Sequence, residues 1–190
     1  MYRQLAAFPN LLTLLRLVIL PFIVINVVGG DYGWALGLFV LAGGSDFLDG
    51  NLARILQQRT ALGQYLDPIA DKMLLSTLFL VLSIVHKIPW KYTVLVFSRD
   101  VTILVVAGVL YVTNTLRDFR PSIFGKINTC AQVAAVFFVL LHQVTFAPWV
   151  SLARHISLYA TFAFTLLSGL HYIWLIAQRM RAQASTGAAA

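Results

Sequence analysis

Asp46, Asp49, Asp67 and Asp71 place four carboxylates in one short stretch of a chain that is otherwise strongly apolar. An ionisable residue at membrane depth is costly and marks a functional site, and four converging carboxylates need a cation between them. On a helix Asp46, Asp49, Gly50 and Ala53 stand at i, i+3, i+4 and i+7, which is one face. Gly63, Asp67 and Asp71 are each four apart and share a face of the next helix. Four hard oxygen donors without His or Cys suit Mg2+ or Mn2+ and are poor for zinc. Mg2+ commonly completes its coordination with waters and substrate phosphates, so a diphosphate is the natural partner, and two ions about 3.5 to 4 Å apart could clamp a displacement at phosphorus. Gly50, Ala53 and Gly63 leave backbone open to a bulky ligand, and Arg54 adds a fork that matches phosphate. Small residues also serve close helix packing in membranes, but here they stand in register with the aspartates.

The elements that must position these groups follow from composition. The 190 residues are 59% hydrophobic and 11% charged, with mean hydropathy +0.82, too little polar surface to cover a soluble globule. The expected class is an all-α integral membrane protein with six transmembrane helices, over 11–28, 34 to about 56, about 60 to 85, 92–113, 123–144 and 150–177. Each run reaches the ~20 residues or so that cross ~30 Å of hydrocarbon. Residues 1 to about 9 read as an N-terminal interfacial amphipathic helix that stays attached, because Arg16 interrupts the following apolar run and no small-residue cleavage site appears. Short separators leave room for one domain, 1–182, followed by a small polar tail, 183–190, expected to be disordered.

The net charge of +7 is distributed as lipid anchoring rather than as a nucleic-acid surface. Arg3, Arg16, Arg54, Arg59, Lys72, Arg99, Arg117, Arg120, Lys126, Arg179 and Arg181 fall on or near the side of the termini, against Lys87, Lys91 and Arg154 opposite. The positive-inside rule then puts the termini and the aspartates at the cytoplasmic face. Cys130 stands alone and reads as a buried structural thiol. Thr60 is a plausible cap for the third helix, and Pro68 either kinks that helix or begins it with Asp67 as cap. Ser45 is the nucleophilic side chain beside the cluster, and none of His86, His142, His155 or His171 is near it in sequence, which favours direct attack by an acceptor over a covalent intermediate. The histidines read as helix-end and interface residues.

The pattern Asp46-x2-Asp49-Gly50-x2-Ala53-Arg54-x8-Gly63-x3-Asp67-x3-Asp71 resembles, at all eight fixed positions, the motif of the CDP-alcohol phosphatidyltransferases. The resemblance implies six spans with cytoplasmic termini, a homodimer, and transfer of a phosphatidyl group from CDP-diacylglycerol to an alcohol with release of CMP. It further implies that Asp46, Asp49 and Asp67 hold two metal ions on the diphosphate. Asp71 would ligate and also act as general base, while Gly50, Ala53, Arg54 and Gly63 would shape the cytidine-diphosphate site.

For the acceptor, the candidate basic residues are Arg99 in Ser98-Arg99-Asp100, Arg117 and Arg120, and Lys126. Arg99 and Asp100 interrupt an apolar span and are expected to line a cavity, with Arg99 and Lys126 lacking obvious partners. Such charges suit an acceptor that carries its own phosphate. Pro9-Asn10-Leu11-Leu12-Thr13-x2-Arg16 is similar to the branch that makes phosphatidylglycerophosphate and cardiolipin. Ser98-Arg99-Asp100 with Lys126-x-Asn128-Thr129 resembles the mitochondrial type of cardiolipin synthase, which implies phosphatidylglycerol as acceptor, with glycerol 3-phosphate as the alternative. A transporter could also carry intramembrane aspartates, and a membrane prenyltransferase also uses paired aspartates on a diphosphate. The first leaves the motif in one hairpin unexplained, and the second calls for a longer chain with two separated aspartate motifs.

Overall fold

Each apolar run becomes one helix. The helices are α1 Phe8–Gly29, α2 Tyr32–Leu56, α3 Ala61–Ile84, α4 Trp90–Val112, α5 Ile123–Val144 and α6 Pro148–Gly187. The computed structural model describes the backbone of residues 8–56, 61–112 and 123–187, and the side chains of 14–44, 70–102, 125 and 127–170. Among the described residues there is no strand. The expected interfacial helix over 1 to about 9 lies almost wholly outside them. Helical geometry in α6 continues to Gly187, past the start of the polar tail.

Local chemistry explains the ends. At the close of α1 the Asp31 amide donates to the Asn26 carbonyl at 2.8 Å and the Gly30 amide to Val27 at 3.3 Å. This is a Schellman cap, and Gly30 supplies the left-handed residue it needs at φ 85°. The end of α3 repeats the pattern, with Lys87 donating to Leu82 at 2.7 Å and His86 to Ser83 at 3.1 Å. Here a histidine takes the left-handed position at φ 58°, where glycine is the easier choice. Pro148 begins α6, where its missing N–H costs nothing. The sequence left two readings of Pro68, and the structure excludes one: α3 starts at Ala61 and runs through Pro68, so the helix does not begin at Asp67.

Packing pairs an apolar core with an apolar exterior. Large apolar side chains lie exposed at helical spacing, such as Val18, Phe22 and Ile25 on α1 and Leu152, Ile156 and Tyr159 on α6. Arg16, Asn128, Gln132, Ser157, Thr161, Thr165 and Ser168 are buried. Hydrophobic burial cannot pay for exposed apolar rows in water, but lipid accepts them. Ile127–Val144 and Pro148–Leu170 are each long and apolar enough to cross a membrane, and Leu14–Gly29 and Tyr32–Gly44 form shorter apolar helices. The core joins Ile23 and Val27 of α1, Phe39 of α2, Leu78, Phe79 and Leu82 of α3, and Val136, Val139 and Leu140 of α5. α1 packs against both α2 and α3, α5 against α6 and α2, and α4 against α6 and α3. The helix that carries Arg16 therefore sits beside both helices of the aspartate motif.

Candidate active site

The backbone carries the aspartates as the spacing requires. Asp46 and Asp49 lie in α2 and Asp67 and Asp71 in α3, both continuous helices at these positions. Gly50, Ala53 and Arg54 also fall in α2, and Gly63 in α3. Among these motif residues the described side chains comprise Asp71 alone. Those of Asp46, Asp49, Gly50, Ala53, Arg54, Gly63, Asp67 and Lys126 lie outside the described set, as do Arg117 and Arg120 altogether.

Asp71 is where chemistry and cavity meet. Arg16, 3% exposed on α1, donates from Nη1 to Asp71 Oδ1. The Asp71 side chain is 38% exposed, so the pair has one buried and one accessible member. Both residues line a cavity of about 680 Å3 that is otherwise bounded by apolar side chains and by Gly43, Gly44, Thr129 and Cys130. The walls come from α1, α2, α3 and α5 and include Phe39, Leu74, Leu75, Phe137 and Phe138. A volume of this size suits a ligand with a large apolar part and a few polar groups at one end. An unpaired guanidinium in such surroundings would be costly, and the carboxylate across the helix boundary offsets that cost.

A second polar cluster sits on another face of α3. Asp100 Oδ1 accepts from Arg99 Nη1 at 2.8 Å and lies 3.3 Å from Lys72 Nζ. Arg99 Nη2 reaches Ser168 Oγ at 3.4 Å, so the cluster ties α3, α4 and α6 together. Asp71 and Lys72 adjoin in sequence, yet consecutive helical residues point about 100° apart, which separates the two clusters around α3. This corrects one expectation: Arg99 has partners, because the neighbouring Asp100 turns to the same side and Ser168 approaches from α6. The Arg99 Nε is buried without a hydrogen-bond partner among the described residues.

Sequence reasoning also missed a polar seam between α5 and α6. Thr165 Oγ1 donates to Asn128 Oδ1 at 2.9 Å, and Asn128 Nδ2 and Gln132 Nε2 are buried without partners among the described residues. Ser157, Thr161, Thr165 and Ser168 at i, i+4, i+8 and i+11 were the legible signal for that face. Cys130 corrects a further expectation, for it is exposed rather than buried. The buried face of α5 carries Asn128, Gln132, Ala135, Val136 and Val139, whereas Cys130 lies with Thr129, Val133 and Ala134 along the cavity wall. The histidines fall as expected where described. His86 caps α3, His142 stands in the last turn of α5, and His155 Nδ1 lies 2.7 Å from the Ser151 carbonyl oxygen near the start of α6.

A family model described as CDP-alcohol phosphatidyltransferase matches residues 6–175. The chain belongs to that family. Cardiolipin synthase (CMP-forming) of Homo sapiens is 35% identical over 154 residues, covering 72% of this chain and 50% of that protein. The CDP-diacylglycerol–glycerol-3-phosphate 3-phosphatidyltransferase of Bacillus subtilis is 32% identical over 184 residues, covering 86% of this chain and 92% of that protein. A putative cardiolipin synthase of Mycobacterium tuberculosis is 28% identical over 167 residues, covering 87% and 77%. The chain spans about half the length of the human and rat cardiolipin synthases it matches. Asp71, which lines the cavity, is the member of the aspartate motif whose side chain is described.

Proposed function

We propose that this protein is an integral membrane enzyme of phospholipid synthesis that transfers a phosphatidyl group from CDP-diacylglycerol to a phosphate-bearing glycerol acceptor, phosphatidylglycerol ahead of glycerol 3-phosphate, and releases CMP. The observation that carries the reading is the Arg16–Asp71 pair at the polar edge of a cavity of about 680 Å3 with apolar walls. A lipid substrate needs this juxtaposition, with acyl chains along the apolar wall and a charged headgroup at the aspartates. Six spans, a homodimer and an active site at the cytoplasmic face belong to the same proposal, supported by the apolar exterior and the skewed basic residues.

The donor set fits Mg2+ or Mn2+. Four carboxylates on two consecutive helices, with that of Asp71 accessible at a cavity, would supply hard oxygen ligands. Asp46, Asp49, Asp67 and Asp71 would hold two ions, which when bound neutralise the diphosphate and the departing CMP. Gly50, Ala53, Arg54 and Gly63 bound the cytidine-diphosphate site. Asp71 takes the proton of the acceptor hydroxyl as its oxygen bonds to the phosphatidyl phosphorus. The bond from that phosphorus to the oxygen of CMP then breaks. Positioning and charge neutralisation suffice for this chemistry, so no covalent enzyme intermediate is required. Arg99, Lys126, Arg117 and Arg120 bind the phosphate of the acceptor, and Arg99 is the one of these four whose side chain is described.

The runner-up acceptor, glycerol 3-phosphate, is favoured by the Bacillus subtilis relative, whose name contains it and of which this chain covers 92%. Purified protein with CDP-diacylglycerol should be given phosphatidylglycerol, glycerol 3-phosphate, inositol phosphate, serine or inositol in separate reactions with Mg2+. Turnover is expected with the two glycerol-based anions. Turnover with glycerol 3-phosphate alone reverses their order, and turnover confined to serine or to an uncharged polyol refutes the anionic acceptor.

A further inference from the structure

Arg16 has no place in the eight-position aspartate motif, and its position in the first apolar run reads most simply as anchoring. The structure shows a different environment. Arg16 is 3% exposed and lies thirteen residues before the end of α1 at Gly29, about 20 Å along the helix axis from that end. A guanidinium there cannot snorkel to a headgroup layer on the far side, and burial of a charge is tolerated only with a partner. One partner is Asp71 Oδ1, contributed by a helix 55 residues away in sequence. Asp71 is also the motif residue that opens on the cavity. A carboxylate on a short side chain can turn about its terminal torsion, and an acceptor hydroxyl can be deprotonated only in a narrow range of approach.

We infer that Arg16 is a positioning residue of the proposed transfer: its guanidinium holds one oxygen of the Asp71 carboxylate and thereby aims the group at the reacting hydroxyl. The inference rests on the proposed function and deepens it. Arg16 touches neither substrate nor reacting atoms in this role, and acts through Asp71. It also makes α1, which packs on both α2 and α3, part of the catalytic apparatus rather than a lipid-facing support. Because a divalent ion and a guanidinium both seek the same carboxylate, Arg16 tempers metal binding at Asp71 instead of promoting it.

The test compares wild-type, Arg16→Lys and Arg16→Gln full-length protein, each alone and combined with Asp71→Asn. Loss of a group that orients a catalytic residue costs about 10- to 100-fold. Arg16→Gln is therefore expected to lower kcat by about that factor with KM for CDP-diacylglycerol within about 2-fold, and Arg16→Lys to recover part of the loss. In the Asp71→Asn background the further loss from either change should nearly vanish, since coupled residues are not additive. Mn2+ affinity, read by electron paramagnetic resonance without substrate, should be unchanged or tighter in Arg16→Gln. A merely structural Arg16 would instead weaken Mn2+ binding and raise KM, and would cost the same factor with Asp71→Asn as without it; any of these overturns the inference, as does full kcat in Arg16→Gln. Should Arg16→Gln fail to fold, Arg16→Lys carries the cycle: its loss must fall toward one-fold beside Asp71→Asn, and a persistent loss refutes the inference. Wild-type protein inactive with both glycerol anions refutes the function itself, which separates that failure from this one.

Discussion

Arg16 and Arg99 are both nearly buried, and both hold an aspartate, yet the two sites are built oppositely. Arg16 draws its partner from another helix, and that partner, Asp71, is 38% exposed at a cavity. Arg99 pairs with its own chain neighbour Asp100, whose carboxylate is 15% exposed and shared with Lys72, and a hydroxyl from α6 adds to the knot. The first arrangement keeps a carboxylate accessible. The second consumes its carboxylate in tying three helices together, and its Arg99 Nε is buried without a partner among the described residues. The difference teaches that two buried arginines can be built to different ends: one leaves its carboxylate accessible beside a volume, and the other ties helices together. In the proposed division of labour the Arg16 end handles donor and proton, and the Arg99 end meets only the acceptor's anion.

The comparison breaks hardest at the aspartates proposed to bind metal. Asp46→Ala, Asp49→Ala and Asp67→Ala are each expected to lower turnover at least about 1,000-fold, because neutralisation at the transferring phosphorus is the main catalytic term. Metal-dependent binding of CDP-diacylglycerol should fall with it, measured on the same preparations. Near-normal activity in Mg2+ in any one variant removes that residue from the metal set.

Next in size is Arg99→Ala. It should lower kcat/KM for the anionic acceptor about 10- to 100-fold, the cost of a lost charge-assisted contact, while binding of CDP-diacylglycerol is spared. An equal loss of donor binding would merge the two ends and erase the contrast.

The cavity itself can be narrowed. An added Cβ at Gly43 meets nothing within 4 Å, and Gly43 lines the cavity, so Gly43→Leu should be accommodated by the fold and should project into the volume. The expected result is a several-fold higher KM for long-chain than for dioctanoyl CDP-diacylglycerol, roughly 1 kcal/mol of lost fit. Equal KM changes for both lipids would show that acyl chains lie elsewhere.

The smallest effect is expected in the seam between α5 and α6. Thr165→Val removes the bond to Asn128 and should cost about 0.6 kcal/mol, the average for hydrogen bonds between membrane helices, seen as a slight fall in Tm at unchanged kcat. A large loss of activity there would extend the reacting region beyond the cavity.

How much of this was legible depends on which physical term decides each feature. The helices were readable because the apolar runs are bounded by Gly29-Gly30, Pro89 and Pro148, and each boundary has a capping reason. The aspartate register was readable because i, i+3 and i+4 spacing survives any packing of the helices. The Arg16–Asp71 pair was not, since it depends on α1 lying against α3, and local sequence carries no term for a contact between residues 55 apart. Arg99 was expected to line a cavity without a partner, and its pairing was missed because a long side chain can reach a chain neighbour that helical spacing alone would separate. Cys130 shows the converse: an apolar segment predicts burial of its small thiol, yet α5 turns that residue to the cavity side.

The central claim is that Asp71 at the cavity serves the transfer chemistry rather than the helix packing. Its most direct test is CMP release from CDP-diacylglycerol by purified wild-type and Asp71→Asn protein in Mg2+ with phosphatidylglycerol or glycerol 3-phosphate, with CDP binding measured on the same samples. The expected result is CMP formed in step with the phospholipid product by wild-type protein, and a loss of about 100-fold or more in the variant with CDP affinity largely kept. No CMP from wild-type protein with either acceptor, an Asp71→Asn rate equal to wild type, or a variant whose sole defect is nucleotide binding would contradict it.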